Sequence, residues 1–466
     1  MRSAIMDIGY NAIRAVVYEN DTLGAPEIFN SKFKSDILNL LTSDSIDIKH
    51  QTYLTIEYLL HVFENLNVTN IQCVATAVLR NHPRADLFIN HIKTKYNFDI
   101  NIISGEEEAK LTALGLISGI KNTHGMIADL GGGSLELIEI NNEKIGQLKS
   151  FELGTKVLSA QSITDENDVM QIIKEQYGDN TYETLYLIGG ALRFIGRIYV
   201  DFIQYHLKNL HNLEIQTPDL LNYLNKLEIS SQDVKSKIGR RHINRNAIFI
   251  AKAMIKTFQP EKVIISTFGL KEGVRISKMS EEEKSKDVLL EKVKYTCKLN
   301  DDKTNWLEYF NIVNPLLPEN VDYHEEIKLS ILLSSFKRTF DHTLPPLGIT
   351  EFILSSEMPF THKMRVMLAL IQSYSTNFKP NFELIKISKK LISKEEHNHC
   401  QIIGHFLSIA EAIDGPIFLD PSFTITIKGN YLGIESKRIL PRPIFEKICN
   451  KLKSIAFARK IDSNIS

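Results

Sequence analysis

Short apolar runs alternate with stretches of helical period through the first part of the chain. Ser3–Met6 and Ile13–Tyr18 read as strands on either side of a glycine turn, and Ile71–Ala75 as a buried strand leading into a helix from about Thr76. Asp99–Ile103 reads as a further strand, with Glu106–Leu116 helical. A second unit starts near Gly125, with strands at Met126–Ala128, Leu135–Ile140, Leu185–Ile188 and Lys262–Ser266, and a mostly helical Leu220–Lys256. This alternation predicts an α/β fold. The charged stretch Lys278–Asp287 reads either as a domain boundary or as a solvated helix face. Beyond it, helical patterns dominate at Asp287–Cys297, Glu325–Phe340, Thr361–Ser375 and His397–Ile413. Strand signals return at Ser422–Lys428 and Tyr431–Ser436, around Gly429-Asn430.

One short segment occurs twice. Ile5-Met6-Asp7-Ile8-Gly9-Tyr10-Asn11-Ala12-Ile13-Arg14-Ala15-Val16 aligns without gaps on Ile127-Ala128-Asp129-Leu130-Gly131-Gly132-Gly133-Ser134-Leu135-Glu136-Leu137-Ile138. Both copies read strand, Asp, glycine turn, strand. Such a turn exposes backbone N–H groups beside a carboxylate: the amides suit phosphate oxygens, and the Asp suits Mg²⁺ or its water shell. A single copy occurs in many hairpins. Two copies at the starts of two α/β units point to two related lobes gripping one phosphate chain.

Composition narrows the classes. At 466 residues, 43% hydrophobic and 24% charged, the chain is too long for one core and is neither fibrous nor wholly disordered. Lys+Arg is 55 against Asp+Glu 56, so no global electrostatic grip on nucleic acid is expected. The cysteines Cys73, Cys297, Cys400 and Cys449 form no CxxC pair, which argues against a disulfide framework or cysteine zinc site. No apolar run approaches the roughly 18 residues of a membrane span, and the acidic residue early in the N-terminus does not fit a secretory signal. A cytoplasmic protein without membrane or specific nucleic-acid partners is expected, with a homodimer among the possible assemblies.

At this point the chain resembles the exopolyphosphatase / guanosine-pentaphosphate phosphohydrolase (Ppx/GppA) family. Asp7 to Arg14 is similar to its first phosphate motif, and Asp129 to Glu136 matches the second, Asp-x-Gly-Gly-Gly-Ser-x-Glu, in full. Ala75-Thr76-Ala77-Val78-Leu79-Arg80 and Ile103-Ser104-Gly105-Glu106-Glu107-Glu108-Ala109 resemble two intervening motifs; Gly189–Arg193 and Gly269–Gly273 resemble two later ones. The resemblance covers roughly residues 1–275. It implies two actin/hexokinase-like (ribonuclease H-like) lobes, 1–122 and 123–285. A mainly helical C-terminal domain, 290–466, would follow, with a degenerate HD-type core. Where many members carry Leu-Leu-His-Asp-Ile-Gly, this chain has Leu332-Leu333-Ser334-Ser335-Phe336-Lys337, so both metal-type ligands are absent. Tyr10 and Ala12 stand where the family has Ser, removing two hydroxyl donors worth roughly 1.5–3 kcal/mol each if they bind phosphate.

The resemblance implies an Mg²⁺-dependent hydrolase that releases orthophosphate from the end of inorganic polyphosphate. The alternative substrate is guanosine pentaphosphate, cleaved at its 5′ γ-phosphate. A non-catalytic polyphosphate or nucleotide sensor, and more remotely a sugar or small-acid kinase, are the readings of other classes. The family's catalytic base maps onto Glu108, with Glu107 as fallback; taken alone, three acids at a helix N-terminus would be a stabilising device. Asp129 and Asp7 are the metal anchors, and Glu136 is a second carboxylate near the attacking water, or else a solvent-facing strand residue. Gly9, Asn11, Arg14, Arg80, Gly131, Gly132, Gly133 and Ser134 are the phosphate-binding candidates.

Other features are set aside. His397, His399, Cys400 and His405 match no standard zinc spacing and read as helical surface residues. Asp341-His342 reverses the His-Asp order, and Trp306 reads as a packing residue. The row Lys437, Arg438, Arg442, Lys447, Lys451, Lys453, Arg459 and Lys460 reads as a solvated basic helix or as a track for a linear polyanion.

Overall fold

A computed structural model describes residues 1–34, 36–43, 49–158, 163, 165–230, 244–299, 304–336, 347–376, 379–415, 418–428 and 431–459. The chain divides into two compact units, Met1–Val288 and Leu289–Ser466.

The first unit contains two mixed sheets. Strands β1 (Arg2–Ile8), β2 (Ala12–Tyr18), β3 (Glu27–Lys34), β4 (Val68–Ala75) and β5 (Asn101–Ile102) form one, in the order β3-β2-β1-β4-β5. Strands β6 (Gly125–Leu130), β7 (Leu135–Asn141), β8 (Lys144–Phe151), β9 (Thr184–Ile188), β10 (Leu213–Gln216) and β11 (Lys262–Ile265) form the other, in the order β8-β7-β6-β9-β11-β10. Three antiparallel strands run into parallel ones in each, β1 with β4 and β6 with β9. The second sheet therefore repeats the first and adds β10 at its edge, pairing antiparallel to β11. The duplication seen as a short sequence repeat extends over the whole sheet topology.

The central strands β1 and β6 are near-continuous apolar runs because both faces are covered. On one face of the first sheet, Ala4, Met6 and Ile8 pack with Ile56, Phe63, Phe88 and Ile92 from its flanking helices. On the other, Ile5 joins Val16, Ile103 and Val274. In the second sheet Met126, Ala128 and Leu130 face a large core that includes Ile195 and Met254. Ile127 faces Ala109, Ala113 and Leu116 of the Gly105–Gly119 helix. Side chains alternate along a strand, so Asp7 follows Ile5 and Asp129 follows Ile127 onto the faces bearing these smaller clusters.

Two helices cross there at backbone contact. A Cβ on Gly273, in the Leu270–Ser277 helix, would lie 1.6 Å from the Leu111 carbonyl oxygen of the Gly105–Gly119 helix. One on Gly115 would lie 1.9 Å from the Gly269 oxygen. Only glycine permits that approach. Ser104 caps the Gly105–Gly119 helix, its Oγ accepting from Glu107 N at 3.1 Å.

Several expectations are corrected. The helix after Thr76 is a single turn, Ala77–Arg80, followed by a separate helix at Ala85–Tyr96. The Asp99–Ile103 strand shrinks to two residues, Asn101–Ile102. Strands β3, β8 and β10 add to those the apolar runs mark, because their exposed positions interrupt the apolar signal. Within Lys278–Asp287 a one-turn helix, Glu281–Lys284, packs back on the first unit, where Glu283 Oε1 accepts from Leu23 N at 2.7 Å.

The second unit is helical apart from a hairpin of β12 (Phe423–Lys428) and β13 (Tyr431–Ser436). Its longest helix, Lys394–Asp414, begins before the expected His397, under a capping box in which Ser393 and Glu396 satisfy each other's backbone N–H. His399, Cys400 and His405 are buried in it, against the expectation of surface residues. His399 Nδ1 lies 3.0 Å from Tyr323 Oη, and His397 Nε2 lies 2.8 Å from Tyr374 Oη. They are packing residues tied to tyrosines. The Ser334 and Ser335 hydroxyls donate to the backbone carbonyls of Ser330 and Leu332. Trp306 packs edge-on to Phe310 and His324 with Lys328 over its ring. Lys337, Asp341, His342 and Lys460 lie outside the described residues. Among the described residues no helix is long and apolar enough to cross a membrane.

Candidate active site

A cleft of about 290 Å³ in the first unit collects residues from both sheets. The β1–β2 turn contributes Asp7, Gly9, Tyr10, Asn11, Ala12 and Arg14. The β6–β7 turn contributes Asp129, Leu130, Gly131, Gly132, Gly133 and Ser134. The two turns close with the same hydrogen bond, Gly9 N to Ala12 O and Gly131 N to Ser134 O, each 3.0 Å. Among the described residues the backbone N–H groups of Tyr10, Asn11, Gly132 and Gly133 have no acceptor. Two sets of amides thus stand ready for anionic oxygens. A Cβ on Gly132 would come within 2.6 Å of Asn11 Nδ2, so the second turn approaches the first without room for a side chain.

Strand register carries the repeat one step further. Asp7 pairs with Arg14 on β2, which pairs with Lys32 on β3. Asp129 pairs with Glu136 on β7, which pairs with Ser150 on β8. One row is acid, base, base; the other is acid, acid, hydroxyl. Ser150 Oγ donates to Glu136 Oε1 at 2.8 Å.

Of the three consecutive glutamates, Glu106 and Glu107 are exposed, whereas Glu108 is buried and lines the cleft. The helix's 3.6-residue turn sends successive side chains in different directions, and Glu108 shares its inward face with Thr112. Arg80 Nη1 donates to Glu108 Oε2 at 3.1 Å and to the Ile103 carbonyl at 2.9 Å. Arg80 is therefore held on protein partners. Glu136 is almost wholly buried.

Asp7, Glu108, Asp129 and Glu136 hold protons more tightly than usual. Burial, then the Glu136 charge, pushes Glu108 well up, with Arg80 opposing. Burial and Asp129 push Glu136 up to about 7. Burial outweighs Arg14 at Asp7, which rises to about 6. Asp129 is raised by burial, with the Arg193 charge and a 3.3 Å hydrogen bond from Thr112 Oγ1 opposing.

Sequence reasoning gave no role to three further cations that line the cleft, Lys32, Arg193 and Lys271. Arg193 Nη1 donates to the Thr267 carbonyl at 3.1 Å, and Lys271 pairs with Glu27 and, at 2.8 Å, Glu272. Lys32 had a signal: Phe29 and Phe33 alternate with Asn30, Lys32 and Lys34, the mark of a half-buried strand. Among the described residues no three His, Cys, Asp or Glu side chains group closely enough to enclose a metal ion.

The basic row of the second unit is partly occupied. Lys451 Nζ donates to the carbonyls of Tyr374 and Thr376 at 3.3 and 2.9 Å, Arg442 pairs with Glu446, and Arg438 approaches Asp414 at 3.9 Å. A uniformly solvated helix face does not describe it.

The Ppx/GppA phosphatase family matches residues 16–282, more than half of the chain, and the chain belongs to that family. A guanosine-5'-triphosphate,3'-diphosphate pyrophosphatase of Pseudoalteromonas translucida is 24% identical over 297 residues, 60% of this chain and 59% of that protein. One of the same name from Aliivibrio fischeri is 26% identical over 154 residues, 29% of this chain and 30% of its own. The chain thus spans less than two thirds of these relatives. The crystal structure of the Aquifex aeolicus Ppx/GppA family member covers 60% of this chain and 97% of its own at 18% identity, with a TM-score of 0.51. That likeness establishes the two-lobed actin-like fold of the first unit.

Proposed function

We propose that this cleft hydrolyses the terminal phosphoanhydride of inorganic polyphosphate, releasing orthophosphate, with Glu108 as general base. The observation that carries this reading is the burial of Glu108 beside Arg80, in the same cleft as two glycine turns with unengaged amides. Glu108 takes a proton from water as the water oxygen bonds to the terminal phosphorus and the bridging P–O bond breaks. Arg80 fixes the carboxylate's orientation, while burial keeps it basic enough to accept the proton. The turn amides receive phosphoryl oxygens. Arg14, Lys32, Arg193 and Lys271 offset the charge of the chain.

Asp7 and Asp129 suit Mg²⁺. They are oxygen donors raised in pKa by burial, so a hard cation relieves them. Two carboxylates, with waters and phosphate oxygens completing the shell, is how Mg²⁺ is usually held. When bound, the ion withdraws charge from the phosphoryl oxygens.

Polyphosphate is supported by the lining. Among the described residues Tyr10 is the single aromatic side chain in the lining, and Lys156 Nζ already sits over its ring, 5.0 Å from the centroid. The names of the curated relatives favour a second reading, guanosine pentaphosphate. Phosphate release with Mg²⁺ from long-chain polyphosphate, guanosine pentaphosphate and ATP tests both. Release from polyphosphate above the others is expected. Preferential release from guanosine pentaphosphate favours the second reading. Binding without release from any of them means a sensor, and ADP formation that needs a small-molecule acceptor means a kinase.

A further inference from the structure

Tyr10 and Lys156 tie the two turns together. In the repeat Tyr10 stands where the second turn has Gly132, and its ring lies against that turn: a Cβ on Gly133 would be 3.3 Å from Tyr10 Cδ2. Lys156 comes from the segment behind the second turn. Its backbone N–H donates to Gly132 O at 2.9 Å, and that of Thr155 to Gly131 O at 3.1 Å. These bonds turn two carbonyl oxygens onto protein donors. They also anchor the Lys156 backbone to the second turn while its ammonium rests on the ring of the first. Lys156 is exposed, and among the described residues it has no carboxylate within ion-pair distance. An ammonium placed on an aromatic face keeps donors for a further partner.

We propose that Lys156, seated on the Tyr10 ring, grips the phosphate chain at the cleft rim beside the turns. Position 10 then supplies an aromatic seat for a cation where the family has a serine. This assignment rests on the phosphoanhydride reading and adds a chain-binding residue to it. A lone orthophosphate held in the turns gains little from the rim, whereas a tripolyphosphate extends to it.

The test is calorimetric binding of inorganic tripolyphosphate and of orthophosphate to the full chain carrying Glu108→Gln, at two salt concentrations. Adding Lys156→Gln is expected to weaken tripolyphosphate roughly tenfold, the loss of one charge-assisted hydrogen bond. It should also flatten the salt dependence and spare orthophosphate. Tyr10→Leu is expected to weaken tripolyphosphate in the same way, with no further loss when combined with Lys156→Gln. Tyr10→Phe keeps the ring and is expected to keep the affinity. Unchanged tripolyphosphate binding by the Lys156→Gln protein overturns the proposal, and so do additive losses in the double variant. Lys156 is exposed, so its substitution is read without a folding defect. Absence of phosphate release by the wild-type protein is a separate result that sinks the hydrolase reading.

Discussion

Glu136 lies directly opposite Asp129 across the β6–β7 ladder, in the place where Arg14 lies opposite Asp7 across β1–β2. The scaffold is duplicated, but the charge at the paired position is inverted. Arg14 partly offsets the buried Asp7. Burial and the Asp129 charge instead burden Glu136, which rises to about 7. The first row suits binding an anion. The second suits holding a proton, as the proposed hydrolysis requires beside Glu108.

Glu108→Gln should lower turnover by about 10²–10⁴-fold with tripolyphosphate affinity nearly unchanged, since it deletes the proposed base and keeps the shape. Glu107→Gln, at an exposed position outside the cleft lining, should retain most activity. Steady-state phosphate release measures both. A comparable loss in the two variants would move the base away from Glu108.

Arg80→Gln should shift the acid limb of the kcat/KM–pH profile upward by roughly a unit or more, because the Arg80 charge lowers the Glu108 pKa. A limb that stays in place while KM rises would assign Arg80 to direct phosphate contact instead.

Asp7 makes stability depend on pH. Its folded pKa, about 6, is above the 3.8 of an ordinary aspartate, so the folded state holds the proton more tightly. The stability it contributes is full below about pH 4 and is lost as pH rises through about 6. In urea unfolding without divalent cations, Asp7→Asn should remove a decline on the order of 2–3 kcal/mol between those limits. Parallel wild-type and variant curves would show that Asp7 titrates normally.

Gly273→Ala should destabilise the first unit by about 1–3 kcal/mol or more, because backbone rather than a movable side chain occupies the space. The Leu111 carbonyl oxygen would be 1.6 Å from the new Cβ. A urea midpoint equal to wild type would mean that the two helices separate freely at this crossing.

Among the strands read from sequence, β1, β2, β4, β6, β7, β9 and β11 carry apolar runs buried against helices. Edge-ward β3 and β8 were missed because half-exposed strands mix Lys, Gln and Ser into the pattern. The repeated Asp–glycine-turn segment, and the chemistry of amides beside a carboxylate, were also legible, since a tight turn is written in consecutive residues.

What the sequence by itself determined is therefore local: where the chain is extended, where it turns, and which residue types stand at the turns. Only the tertiary structure decided which groups meet. Glu108 rather than Glu107 faces inward because of the way its helix lies on β6 and β7. Arg80 reaches Glu108, Lys32 completes the Asp7–Arg14 row, and Lys156 finds the Tyr10 ring. Each of these pairs joins separate elements of the chain. Their meeting is fixed by strand register and close backbone approach, which depend on packing across the fold; periodicity within a segment does not say which residue it will face.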